Sequence, residues 1–148
     1  MNTHPYLRAY LAGAFLPTLV LPLMLTLFIV LRIGLAWPVP IEQVMIFPMA
    51  IVPSLFGLWN MLWVASHVRT GAPIGLQGAV LPVLMAPAGA LVATHFGVLQ
   101  FESQGVVWFQ ALHFPYALVA VGWLAAMAGY YLVWKYLVGY LNRVLGIA

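Results

Sequence analysis

The side chains that could do chemistry are few. The 148 residues include four histidines and two acidic residues, Glu42 and Glu102, and no cysteine. Without cysteine there is no disulfide, thiolate metal site or thiol nucleophile. His95 and His113 are the one pair with a workable spacing. If one membrane span ends near 99 and the next begins near 107, both imidazoles lie a few residues below the same rim. Their depths then agree within about one helical turn. Two imidazoles on adjacent helices at one depth could ligate a b-type haem, or hydrogen-bond a quinone. Glu102 and Gln110 lie between them in sequence, with Gln100 and Gln104 nearby. Arg32, Glu42 and Gln43 come from the preceding hairpin. The plainer reading is a wet rim carrying interfacial histidines, and it carries more weight. A shift of one residue turns a helical side chain by about 100°, and no second pair exists.

Asn60 is the deepest strongly polar side chain, about 10 Å from the inner end of its helix. It can bond a neighbouring helix or a backbone carbonyl, and structural glue is a simpler role for it than ligand contact. An enzyme needs a nucleophile, an acid/base pair or a metal set in workable geometry. Ser54, Ser66 and Ser103 have no evident base, and the glycines form no phosphate loop. The sequence therefore leads us to expect a non-enzymatic protein with no catalytic residue, metal or cofactor. Haem b or quinone at His95 and His113 is the alternative.

The elements that must carry these residues follow from composition. Hydrophobic residues make up 66% of the chain and charged residues 5%, with a mean hydropathy of +1.07. A soluble domain carries about 25% charged residues. Too few polar groups are present to cover an apolar core in water. The net charge of +3 is small and scattered, so nucleic acid is not an expected partner; the lipid bilayer is. The charges cut the chain into four apolar stretches, and we place helices near 9–33, 43–67, 76–99 and 107–135. Each is long enough for a hydrocarbon core that needs about 20 residues. Backbone in lipid must satisfy its own hydrogen bonds, so these are helices.

A repeat organises the stretches. Gly13-Ala14-Phe15-Leu16-Pro17-Thr18-Leu19-Val20-Leu21-Pro22 returns 65 residues later as Gly78-Ala79-Val80-Leu81-Pro82-Val83-Leu84-Met85-Ala86-Pro87, with six of ten positions identical. Phe47-Pro48-Met49-Ala50 likewise returns as Phe114-Pro115-Tyr116-Ala117 at an offset of 67. The expected fold is an all-α integral membrane protein with four transmembrane helices. It is a tandem parallel repeat of two antiparallel helix hairpins with Pro-bent helices. Repeat 1 covers about 9–67, repeat 2 about 76–135, and 136–148 forms a cytoplasmic interfacial tail. Ala9 to Leu31 is 23 uncharged residues, longer than the roughly 7–15 of a signal-peptide core, so we expect it to be retained.

Further expectations follow. Pro17/Pro22, Pro48/Pro53 and Pro82/Pro87 fall inside three helices, and Pro115 inside the fourth. Each frees a carbonyl four residues back, for which Thr18, Thr26, Ser54, Asn60 and Thr94 are candidate donors. Gly89, Ala93 and Gly97, and Gly122/Ala126, have the spacing of close helix packing. The third connection, Gln100 to Gly105, is too short for an extramembrane domain. Arg8, Arg69, Lys135 and Arg143 against Arg32 alone put both termini in the cytoplasm, with Trp37 and Trp108 at the outer rim. The functional expectation is a small plasma- or inner-membrane protein, a homo-oligomer or bound to other membrane subunits. It would form a pathway or binding cleft for a small or amphipathic molecule. The alternative is an accessory or anchor subunit of a larger redox complex.

Overall fold

The computed structural model describes residues 4–36, 40–42 and 46–147; Trp37 and Gln43 lie outside them. The chain folds as α1 (Pro5–Gly34), α2 (Phe47–Thr70), α3 (Ile74–His95), β1 (Leu99–Phe101), β2 (Gly105–Trp108), β3 (Leu112–Pro115) and α4 (Tyr116–Leu132). A π-helical segment (Val133–Val138) and α5 (Gly139–Val144) then continue the line of α4. Four helices, Pro5–Gly34, Pro48–Thr70, Ile74–His95 and Tyr116–Val144, are long and apolar enough to cross a membrane. The shortest, at 22 residues, reaches about 33 Å at 1.5 Å per residue. This is a membrane protein with four transmembrane-capable helices.

Two expectations about boundaries are corrected. The third helix stops at His95, not 99, and the fourth starts at Tyr116, not 107. The residues between form a three-stranded antiparallel sheet in the order β1-β2-β3. The reason lies in their alternation: Leu99-Gln100-Phe101 and Leu112-His113-Phe114 repeat with the period of a strand, not a helix. Gly97, at φ 69°, ends α3 in the left-handed conformation that glycine adopts cheaply. The fourth helix also runs on past 135. Trp134, Val138 and Asn142, spaced four apart, are all fully buried, while Tyr136, Tyr140 and Val144 face out. The terminal stretch thus packs one face into the bundle.

The prolines are placed more simply than expected. Pro17, Pro22, Pro53, Pro82 and Pro87 lie inside helices. Pro48 sits in the first turn of α2 and Pro115 just before α4, where no N–H is needed. The hydroxyls do not serve the carbonyls that proline frees. Thr18, Thr26 and Thr94 donate to Phe15, Pro22 and Ala90 carbonyls of their own helices, at 2.6, 2.9 and 2.7 Å. A helical hydroxyl reaches the carbonyl three or four residues back before any other.

The helices meet most closely at two glycines of the matched stretch. A Cβ at Gly13 would collide with the Phe56 carbonyl, and one at Gly78 with the Trp134 side chain and the Tyr130 carbonyl. Removing the side chain lets two backbones touch, which drives association where lipid is as apolar as the protein. The registers differ, however. Phe56 stands nine residues after Phe47, whereas Tyr130 stands sixteen after Phe114, so the second hairpin is offset by about two helical turns.

The core joins the hairpins. Phe56, Leu81, Trp134 and Val138 are buried together, flanked by Val52, Trp59, Met85 and Tyr130. Trp59 donates to the Gln77 carbonyl at 2.8 Å and Trp63 to that of Ala72 at 3.0 Å, tying α2 to the start of α3. Arg8 donates to the Leu145 carbonyl at 3.2 Å, so both chain ends and the α2–α3 turn share one end of the bundle. The sheet and the α1–α2 connection occupy the other.

Gly13→Val and Gly78→Val should each destabilise the protein by about 1–3 kcal/mol through overpacking. Gly89→Val should not, because a Cβ there meets nothing within 4 Å. Thermal scans in detergent, read by recovery of the folded peak on size exclusion, measure this. Equal midpoints for Gly78→Val and Gly89→Val would contradict the packing described.

Candidate functional site

The sheet builds the site. Its register pairs Gln100 with Val107 and Val107 with His113, and pairs Phe101 with Val106 and Val106 with Phe114. Directly paired residues share a face. Gln100, Val107 and His113 therefore share one face, and Leu99, Phe101, Val106, Trp108, Leu112 and Phe114 the other. The apolar face closes over the ends of the helices. Gly105 is required here, because a Cβ would collide with the Phe114 carbonyl. The β2–β3 turn carries Phe109 and Gln110 at φ 54° and 57°. Phe109 packs against Ile41, as do Leu21, Met24, Leu25 and Phe28 of α1, so Ile41 ties the sheet to α1.

Below the sheet are two apolar clefts. The larger, of about 710 Å³, lies between α3 and α4. Ala86, Gly89, Ala90 and Ala93 of α3 form one wall, and Tyr116, Val119, Ala120 and Trp123 of α4 the other. Leu99, Phe101, Val106 and Trp108 form the roof. The second, of about 420 Å³, lies between α2 and α3 and also meets Trp108. The small residues of α3 were expected to pack against a helix; instead they line these clefts. Gly89 has no neighbour that a Cβ would meet, and Gly97 belongs to the turn after the helix. Glycine and alanine leave the space that larger side chains would fill.

At the β1–β2 turn and the end of β3 is a pocket of about 300 Å³, lined by Glu102, Ser103, Gln104 and His113 together with Gly105, Val106, Phe114 and Pro115. His113 Nε2 stands 3.7 Å from Glu102 Oε2, and both side chains are more than half exposed. The hydroxyl of Tyr116 donates to the Glu102 carbonyl at 2.7 Å. His113 is thus a strand residue, not one set into a helix. His95 is the last residue of α3, with its ring edge-on to Phe96 at 5.3 Å, and it does not line the pocket of His113. Gln110 sits exposed in the β2–β3 turn. Glu102 and His113 are brought together; His95 and Gln110 do not line their pocket. Among the described residues no group of three or more His, Cys, Asp or Glu could hold a metal ion.

Asn60 is buried and structural in its contacts. Its Nδ2 donates to the Ala9 carbonyl and to Asn142 Oδ1, both at 2.8 Å, and Asn142 Nδ2 returns a bond to Asn60 Oδ1 at 3.1 Å. The two fully buried amides join α1, α2 and α5, so each satisfies the other where water is excluded. Asn142 was not among the residues singled out from sequence. Its signal was an amide four residues beyond Val138 and eight beyond Trp134, on their helical face. Trp108 and Tyr116 were missed as cleft residues for a similar reason, because the strand alternation around them was read as helix.

At the same end as the sheet, Arg32 Nη1 meets Glu42 Oε1 at 3.2 Å with both side chains exposed, a solvated pair. A hydrogen bond from its own backbone, then the Arg32 guanidinium, holds the Glu42 carboxyl below the usual carboxylate range. Lys135 Nζ lies 5.7 Å from the Tyr131 ring and 5.1 Å from the Tyr136 ring at the opposite end.

Asn142→Ala should lower stability by about 1–3 kcal/mol, the cost of leaving the Asn60 amide unpaired. Replacing both by leucine should cost less than the sum of the single leucine changes, because the pair fails as a unit. Detergent unfolding curves of the three variants test this, and strict additivity would sink the coupled pair.

Comparisons with protein-family models, with characterised proteins and with solved structures find no match, so the site is read from its own geometry.

Proposed function

We propose that this protein is a small, non-enzymatic membrane protein that holds a small or amphipathic molecule in the cleft between α3 and α4. The observation that carries this reading is the cleft itself: about 710 Å³ of apolar space between two helices under an apolar roof. That volume falls in the range of about 300–1,000 Å³ typical of small-molecule sites. The walls are glycine and alanine on one side and aromatic on the other. Burial of an alkyl chain there gains about 0.8 kcal/mol per methylene relative to water.

The test is occupancy of the cleft. An alkyl chain carrying bromine should quench Trp108 and Trp123, which line it. Ala90→Phe fills the space and should weaken binding about tenfold, or 1.4 kcal/mol. Unchanged quenching in a folded Ala90→Phe protein would refute the reading.

Assembly and orientation belong to the same proposal. Gly122 and Gly129 of α4 face open space, which supports packing of a second copy or another subunit against that face. The end bearing Arg8, Arg69, Lys135 and Arg143 is placed in the cytoplasm by the positive-inside tendency. Because the chain has no cysteine, single substitutions answer both points. Ser103→Cys should react with an impermeant thiol reagent from outside, and Thr70→Cys only after the membrane is opened. Gly122→Cys should form a disulfide-linked dimer on oxidation. The reverse labelling pattern, or no dimer at any protein density, would overturn the corresponding part.

A further inference from the structure

The apolar cleft does not end at the sheet. Val106 lines both the cleft and the polar pocket beside it. Tyr116 connects them a second time: its ring lines the cleft, and its hydroxyl donates to the Glu102 carbonyl at 2.7 Å. Glu102, Ser103, Gln104 and His113 thus line a pocket that adjoins the cleft at Val106.

The charges at this end select the head. Arg32 and Glu42 pair with each other at 3.2 Å. Among the described residues, Glu102 meets the imidazole of His113, at 3.7 Å. The pocket's acidic side chain is Glu102, and an anionic head beside a carboxylate would be repelled. An ammonium head would be attracted by Glu102, and the aromatic residues Phe101, Trp108 and Tyr116 line the adjoining cleft. The excess of basic side chains lies at the far end of the bundle, with Arg8, Arg69, Lys135 and Arg143, and does not reach this pocket.

We propose that the cleft and the pocket form one site for an alkylammonium amphiphile, its chain between α3 and α4 and its ammonium group at Glu102. This rests on the cleft reading above and adds the identity of the head. Such a head could belong to a bilayer lipid or to a free single-chain amphiphile.

The experiment uses the full chain in neutral maltoside micelles with two probes, chain-brominated dodecyltrimethylammonium and chain-brominated dodecyl sulfonate. Quenching in Ala90→Phe provides the baseline. The wild-type preference for the ammonium probe should fall about threefold in Glu102→Gln, the scale of one half-exposed ion pair, and should survive in Glu102→Asp. If both probes quench and Glu102→Gln leaves their ratio unchanged, the head assignment fails while the cleft reading stands. If neither probe quenches above the baseline, the cleft reading fails. Unlabelled phosphatidylethanolamine displacing the ammonium probe, with phosphatidylglycerol inert, supports the site and names a bilayer lipid as the source. If neither lipid displaces a probe that binds with the Glu102-dependent preference, the site is supported with a free amphiphile as occupant. Stronger displacement by phosphatidylglycerol than by phosphatidylethanolamine would overturn the proposal.

Discussion

In each hairpin a close helix contact depends on one missing side chain. Gly13 lies against the Phe56 carbonyl and Gly78 against Trp134 and the Tyr130 carbonyl. In a bilayer there is little hydrophobic force between helices, so packing and hydrogen bonds must hold them. These two contacts lie in the first halves of α1 and α3, toward the chain ends. The buried residues of α1 are Ala9, Ala12, Gly13, Ala14 and Pro17, and those of α3 are Gly75, Gly78, Leu81 and Pro82. The Asn60–Asn142 pair and the bond from Arg8 to Leu145 reinforce the same end. The bundle is thus closed at one end by small residues and amides.

At the other end the same residue types do the opposite work. A Cβ at Gly89 would meet nothing within 4 Å, and Gly89, Ala90 and Ala93 line the room between α3 and α4. The difference is made by what stands opposite. Near Gly78 the fourth helix presents Trp134, which fills the gap left by the glycine. Near Gly89 the chain has turned into the sheet, and Trp108, Phe101 and Val106 form a roof above the space rather than a wall within it. The β2–β3 turn, pinned through Phe109 to Ile41 and α1, keeps that roof across the end of the bundle. Glu102, Ser103 and Gln104 of the β1–β2 turn line a pocket that shares Val106 with the apolar cleft, the arrangement an amphipathic occupant requires.

Much of this was legible in the chain. Four apolar stretches between scattered charges predict four spanning helices, because no other regular backbone survives in hydrocarbon without a closed barrel. Asn60 was readable as a buried bonding group, since an amide that deep must find a partner. The sheet was readable too, in the alternation of Leu99-Gln100-Phe101 and Leu112-His113-Phe114. It was hidden by the neighbouring apolar run, in which a strand and a helix start look alike by hydropathy. That error moved His113 onto a helix, whereas it belongs to β3 and His95 ends α3. The Gly and Ala spacing of α3 was read as a device for close helix approach, whereas around Gly89 it leaves space instead. Which of the two it is depends on a neighbour far away in sequence.

The sequence by itself determined that this chain belongs in a membrane, which segments can cross it, and which residues are too polar to face lipid. Those properties follow from local composition and from the cost of burying an unpaired polar group. Only the tertiary structure decided that Gly78 closes a contact while Gly89 opens a cleft, and that Asn60 finds Asn142 across 82 positions of chain. It also decided that Glu102 meets His113 at the edge of that cleft. These outcomes depend on the register of one helix against another. That register is set by how all the side chains interlock, and no single stretch of the sequence contains it.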